Sequence, residues 1–256
     1  MSDRRNDLRV MYNRLRQAWA IAAKDMRIYY LQPPMIMFGL LMPFLMFFSF
    51  SVKREMGLEM ALARLLAITT FFTASSAGPV IMPLEQRTKT YDRLLVAPLP
   101  LTTLLLGKAL VGMVFGIVIS ALTLAAPMVL MGASVASLPL TAVVIVVSTF
   151  VFSVLGLLFA SWPSSSPGSI MMPSTLIRWP LMFISGVFVP LEEMTGWARA
   201  LSYLSPLTYS QDLMHHAVVS GGVFAVVVDL AALAVTLLVL ILLTIWFHRL
   251  RRKWGY

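Results

Sequence analysis

Long apolar stretches alternate with short polar loops along most of this chain. Six of the stretches reach roughly the length of about 20 residues that a helix needs to cross the hydrocarbon core of a bilayer. They lie at about 34–52, 65–84, 109–131, 136–160, 170–191 and 224–247. The pattern predicts an all-α polytopic membrane protein with six transmembrane helices in a domain spanning residues 34–247.

Residues 1–33 have a different pattern, in which apolar side chains recur every three or four positions with basic residues between them. This periodicity predicts an amphipathic helix that lies along the membrane surface, although a surface helix packed on a soluble partner would show it too. The segment lacks the apolar run and cleavage site of a signal peptide, so we expect no cleavage. The apolar positions are Leu8, Met11, Leu15, Trp19, Ala22, Met26 and Tyr29.

Basic residues in the loops predict the orientation of the chain in the membrane, because positively charged segments resist translocation. Fifteen lysines and arginines lie in the amino-terminal segment, the loop between the second and third spans, and the tail 248–256. The opposite side carries four. We therefore predict a multi-pass protein of the cell membrane with both termini in the cytoplasm.

Composition supports the membrane assignment and removes other classes. Of 256 residues, 59% are hydrophobic and 12% charged, with a mean hydropathy of +0.85, whereas soluble domains carry roughly a quarter charged residues. The chain has no cysteine, which excludes disulfides, thiolate metal sites and cysteine nucleophiles. We attribute the formal net charge of +9 to topology and anionic lipid rather than to nucleic acid.

The polar segment between the second and third spans, at about 85–98, is predicted to form a short cytoplasmic helix. Glu85 and Lys89 stand in the favourable i, i+4 order, Leu94 and Leu95 contribute an apolar patch, and Pro98 ends the helix. A rigid charged helix held between two spans is suited to docking into another protein. The alternative is an interfacial loop that only lies at the headgroups.

Two ionisable residues fall well inside predicted spans. Burying the Arg178 cation costs about 2.5–3.5 kcal/mol on insertion scales, so something must compensate it. Three arrangements would compensate the Arg178 cation: contact with an anion or lipid headgroup in a translocation path, an ion pair with Asp229, or extension of the side chain to the cytoplasmic headgroups. Asp229 is assigned to the outer interface in preference to a proton relay.

No constellation for catalysis or metal binding is evident in the sequence. His215 and His216 are adjacent, so their side chains diverge, and we predict that no acidic cluster completes a metal site around them. The chain also lacks G-x-x-x-x-G-K-[ST], so it cannot hold ATP phosphates by that motif. We expect a non-catalytic transport subunit that takes its energy from another polypeptide.

Two motifs carry a resemblance to a known family. The first, E-x-x-x-x-T-x-[DE]-x-L-L-V-x-P-L, is present as Glu85, Thr90, Asp92, Leu94, Leu95, Val96, Pro98 and Leu99. The second, S-G-V-F-x-P-[LI]-E, is present as Ser185 to Glu192. With six predicted spans and an amphipathic amino-terminal helix, the chain resembles ABC-2 type exporter permeases over nearly its whole length. Lys89 departs from the pattern, because the family often has glycine there.

The resemblance implies a mechanism and partners. The coupling helix at about 85–98 would contact a separate ABC ATPase subunit, which alone would use ATP and magnesium, and a second permease copy or a related permease would complete the assembly. The segment 191–223 would form short re-entrant helices at the outer face, unless it is a compact external cap. The coupling residues are Glu85, Thr90, Asp92, Arg93, Leu94, Leu95 and Pro98, and the predicted substrate pathway comprises Arg178, Phe183, Ser185 and Phe188.

This reading predicts an exporter that moves a drug, lipid, glycan or ion across the membrane. The rival is a gradient-driven carrier or channel. Such a protein would need ionisable residues within its spans to carry the coupling, and the predicted spans offer few.

Overall fold

The computed structural model describes residues 2–45, 57–90, 99–161, 166–191 and 193–253. Within these ranges the regular structure is helical throughout. In chain order the helices are α1 (Ser2–Tyr29), α2 (Pro33–Leu45), α3 (Leu58–Arg87), α4 (Leu101–Met131), α5 (Leu138–Phe159), α6 (Pro167–Phe183), α7 (Gly196–Ser202), α8 (Pro206–Val219) and α9 (Val226–Lys253).

Among the described helices, α3, α4, α5 and α9 are each long and apolar enough to cross a membrane. A fifth crossing arises if α1 and α2, which meet at an angle of 96°, form one broken span. The structure thus confirms an all-helical fold in which several helices are long and apolar enough to span a membrane. The predicted count of six is not confirmed.

The two predicted spans outside this group differ from expectation for separate reasons. The first, at 34–52, ends beyond the described residues, which stop at residue 45. The fifth, at 170–191, corresponds to α6, whose 17 residues cover about 25 Å at 1.5 Å per residue. The helix stops before Gly186, whose φ of +88° is left-handed and incompatible with a continuing helix.

Helix α3 lies at the centre of the fold and packs against α2, α4, α5, α6 and α8. Small residues allow its close approach to α5: a Cβ atom on Gly78 would lie 2.5 Å from the Gly156 carbonyl oxygen. The rings of Phe71 and Phe152 meet edge to face with centroids 5.0 Å apart. Close backbone contact and interlocking rings therefore fix the α3–α5 pair.

Helix α1 packs its carboxyl-terminal half against α4. Ala22 and Tyr29 of the predicted apolar face are buried there, whereas Met11, Leu15 and Trp19 are each about half exposed. The rest of the described chain therefore covers only part of that face, and the other part stays open to lipid or to a partner.

The segment 191–223 contains α7 and α8. Helix α8 packs against α3, α5 and α9, and the Ser210 hydroxyl donates to Ser148 Oγ at 2.7 Å. The backbone N–H of Ser137 donates to the Ala217 carbonyl at 2.9 Å. The segment is thus two short helices docked on the bundle, and its location at the outer face stays a prediction.

Candidate coupling site

Four charged side chains from three helices meet where α1 packs on α3 and α4. We call Lys24, Asp25, Glu85 and Lys108 the ionic joint. Lys24 Nζ lies 2.6 Å from Glu85 Oε1 and 2.7 Å from Asp25 Oδ1. Lys108 Nζ lies 2.6 Å from Asp25 Oδ2 and also contacts Glu85 Oε2. Two cations and two carboxylates therefore form a closed and electrically neutral ring.

The ionic joint is almost completely enclosed by protein. Asp25 and Glu85 are fully buried and Lys108 is 3% exposed, while the Lys24 side chain keeps 34% of its surface. Buried charges are tolerated only when their partners are in place, and removing one partner typically costs about 3–5 kcal/mol. The joint therefore fastens α1 to the ends of α3 and α4 that flank residues 88–100.

The structure corrects the predicted start of the coupling helix. Glu85 belongs to α3, which continues to Arg87, and its carboxylate contacts Lys24 and Lys108 rather than Lys89. The predicted i, i+4 pair of Glu85 with Lys89 is therefore wrong. Sequence separations of 61 and 23 residues hid the real partners from a local pattern.

A tight turn follows α3. Lys89 has φ +55°, a left-handed conformation that glycine adopts readily and other residues adopt at a cost. The Thr88 hydroxyl donates to the Leu84 carbonyl at 3.0 Å and lies 3.0 Å from the Thr90 hydroxyl. The position where the sequence departs from the family pattern is thus the one at which the backbone is left-handed.

Of the predicted coupling residues, the structure describes Glu85 and Thr90. The other five, Asp92, Arg93, Leu94, Leu95 and Pro98, lie outside the described residues. Sequence reasoning missed Asp25 altogether and counted Lys24 and Lys108 only as topology signals. A lysine eight residues into an apolar helix was the available clue, because such a charge needs a partner.

The predicted pathway residues lie in α6 and the turn after it. Arg178 is 1% exposed and donates to the Ser75 carbonyl at 2.7 Å and to Ser76 Oγ at 3.2 Å. The proposed pair of Arg178 with Asp229 is therefore wrong, since the guanidinium is held by α3 instead. Its charge also lies 5.7 Å from the centre of the Phe159 ring.

The other three pathway residues differ in exposure. Ser185 is buried and donates to the Met182 carbonyl at 2.7 Å, Phe188 is 7% exposed, and Phe183 is 38% exposed. The rings of Phe183 and Phe188 are in contact, with centroids 5.3 Å apart. Within this single chain only Phe183 of the three offers substantial surface to a substrate, and the assignment of a pathway stays a prediction.

Acidic groups do surround one histidine, contrary to the sequence prediction. Asp212, His216 and Asp229 bring one ligand atom each to within 4.8 Å of one another. Asp212 and His216 are four residues apart on α8 and share a face, whereas Asp229 comes from α9. The i, i+4 spacing was visible in the sequence, but the contribution of α9 was not.

The helices define a multi-pass membrane protein in which a buried ionic joint fastens an amino-terminal helix to two spanning helices. The chain belongs to the ABC-2 type transporter family, whose family model matches residues 16–219.

Two relatives are similar over part of their length. The inner membrane transport permease YadH of Escherichia coli is 27% identical over 121 residues, which are 47% of this chain and 47% of YadH. The daunorubicin resistance ABC transporter permease protein DrrB1 of Streptomyces coeruleorubidus is 31% identical over 71 residues, 26% of this chain and 23% of DrrB1. The chain thus spans at most about half the length of these relatives.

Proposed function

We propose that this chain is the membrane subunit of an ATP-driven exporter and that a separate ABC ATPase drives it through the segment between α3 and α4. The observation that carries the proposal is the ionic joint. Glu85 precedes that segment and Lys108 follows it, and both are bound to α1 through Lys24 and Asp25. A force applied to the segment therefore reaches three helices together.

The physical basis of this coupling is the cost of separating buried charges. Because each carboxylate of the ionic joint contacts both lysines, α1, α3 and α4 move as a unit rather than sliding past one another. Closure of two ATPases on ATP would then shift these helices relative to a second permease copy and change access to the pathway. This is a two-state coupling between the nucleotide sites and the translocation path.

The family and the names of its relatives support transport across a cell membrane. YadH is named as an inner membrane transport permease and DrrB1 as a daunorubicin resistance ABC transporter permease. For this chain we propose export of a drug, lipid, glycan or ion, driven by ATP that the partner subunit hydrolyses. Six crossings with cytoplasmic termini complete the proposal.

The decisive experiment places charges in the predicted docking patch. The double variant Leu94→Asp/Leu95→Asp should insert normally but lose copurification of the cognate ATPase and its stimulation by the permease. The matched control is Leu204→Asp, an exposed leucine between α7 and α8, which should retain both. Normal copurification and stimulation in the double variant would overturn the proposal, and cargo movement without the ATPase would favour a gradient-driven carrier.

Orientation can be tested directly because the natural chain contains no cysteine. A membrane-impermeant thiol reagent should label Leu204→Cys in intact cells and Lys89→Cys only after permeabilisation. Both positions are exposed, so access to the reagent depends on the side of the membrane. Labelling of Lys89→Cys in intact cells would place the segment where no cytoplasmic ATPase can reach it.

A further inference from the structure

A second group of buried charges lies away from the ionic joint, where α8 meets the first turn of α9. We call Asp212, His216 and Asp229 the acid–histidine cluster. One ligand atom from each residue lies within 4.8 Å of the other two. Asp212 is 5% exposed and Asp229 is fully buried.

The two carboxylates differ in how they are satisfied. Asp212 accepts hydrogen bonds from the backbone N–H groups of Val223 and Phe224, both at 2.8 Å. Both carboxylate oxygens of Asp229 are buried and accept from no N–H or O–H donor among the residues that the structure describes, and the side chain in hydrogen-bond contact with Asp229 is the second acid, Asp212. Asp229 is therefore a buried acid held next to another acid and close to His216.

The loop between α8 and α9 orients the ring of His216. His216 Nε2 lies 2.7 Å from the Phe224 carbonyl oxygen, and because a carbonyl only accepts, the ring nitrogen must donate. Metal-binding histidines commonly orient one ring nitrogen in this way while the ring stays neutral. The same loop therefore fixes both Asp212 and His216.

Basic side chains do not neutralise the cluster. The ion pairs found across residues 2–45, 57–90, 99–161, 166–191 and 193–253 all belong to the ionic joint. Arg64 lines a neighbouring cavity of about 140 Å³ together with Asp212 and His215. A buried carboxylate without a partner is strongly unfavourable, so the cluster calls for an additional positive species.

We propose that Asp212, His216 and Asp229 bind a divalent cation of the zinc type and that this ion ties α8 to α9. One imidazole and two carboxylates form a mixed nitrogen and oxygen donor set, which suits Zn²⁺ better than Mg²⁺ or Ca²⁺ because these prefer oxygen alone. Three protein ligands leave a fourth position of a tetrahedral zinc site for water. The ion would supply the positive charge that Asp229 lacks.

The test uses the full-length chain purified in detergent without a histidine tag and titrated with Zn²⁺. Because the chain has no cysteine, thiolates cannot compete for the metal. Wild-type protein should bind about one Zn²⁺ per chain and gain thermal stability, since a ligand that binds only the folded state stabilises it. Asp229→Asn and His216→Gln should each weaken zinc binding by at least about tenfold, the order of effect that perturbing a metal site produces.

His215→Gln is the matched control. His215 adjoins His216 but contacts the Gly221 carbonyl and does not belong to the cluster, so this variant should bind zinc as the wild type does. Equal affinity in His216→Gln and His215→Gln would overturn the proposal, and that pair decides it even if Asp229→Asn does not fold. Wild-type protein that neither binds nor is stabilised by zinc would also overturn it, in favour of a proton shared between Asp212 and Asp229.

Discussion

The ionic joint and the acid–histidine cluster are both buried groups of charges that connect helices, yet their charge balance differs. In the joint, two lysines face two carboxylates with contacts of 2.6–2.7 Å. In the cluster, two carboxylates face one histidine, and within the described part of the chain no N–H or O–H group donates to the oxygens of Asp229. The joint is thus complete within the chain, whereas the cluster needs something from outside it.

This difference separates two uses of buried charge. A balanced ring holds helices together without a ligand, because each desolvated charge meets its opposite. An unbalanced group is stable only when a cation or a proton occupies it, so its strength follows the concentration of that species. We expect the joint to be insensitive to metal ions and the cluster to respond to them.

The largest expected effect comes from opening the ionic joint. Glu85→Gln removes one carboxylate and leaves Lys108 buried with a single counter-charge, so the free energy of unfolding should fall by about 3–5 kcal/mol. Unfolding of the purified chain in detergent micelles measures this loss. Glu59→Gln, at the opposite end of the same helix, where the carboxylate accepts from the Ser134 hydroxyl at 3.0 Å, should have a far smaller effect.

A double variant shows whether charge balance is the cause. Glu85→Gln/Lys108→Gln removes one charge of each sign and leaves the Lys24–Asp25 pair, so part of the lost stability should return. The coupling free energy between the two positions follows from the double-mutant cycle. Losses that simply add would show that the four residues do not act as a unit.

The sequence predicted most of the spanning helices, but it did not predict the charged groups between them. Uninterrupted apolar runs predicted the middles of α3, α4, α5 and α9 because hydrophobic length is a local property. Glu85 ended the predicted second span at residue 84, but α3 continues to Arg87. The carboxylate is tolerated inside the fold because Lys24 and Lys108 neutralise it. The sequence pattern did not show this because both lysines come from distant parts of the chain.

The acid–histidine cluster escaped sequence reasoning for the same cause. The sequence analysis considered His215 and His216 together because they are adjacent. The relevant neighbour of His216 is instead Asp212, one helical turn away. Asp229 joins them only because α9 packs against α8. Hydropathy and spacing treat each charge alone, and only the folded chain shows which charges neutralise one another.

An effect of intermediate size is expected at the cluster, and its sign depends on the metal. With a chelator present, Asp229→Asn removes a buried acid that lies next to Asp212 and should leave the chain as stable as the wild type or more stable by about 1–3 kcal/mol. With saturating zinc the order should reverse, because only the wild type gains binding energy. Thermal unfolding with and without zinc measures both. An order that stays the same in both conditions would contradict the contrast between cluster and joint.

The smallest expected effect concerns the turn by which the chain leaves the ionic joint. Lys89 adopts a left-handed conformation, which costs a residue with a side chain about 1–2 kcal/mol. Lys89→Gly removes that strain but gives the unfolded chain more freedom, worth about 0.5–1 kcal/mol, so a net stabilisation of about 0.5–1 kcal/mol should remain. Arg87→Gly, in the last turn of α3, should instead destabilise the chain by about 0.5–1 kcal/mol. Denaturant unfolding of the two variants side by side tests this, and a shift of both in the same direction would show that the turn is not strained at Lys89.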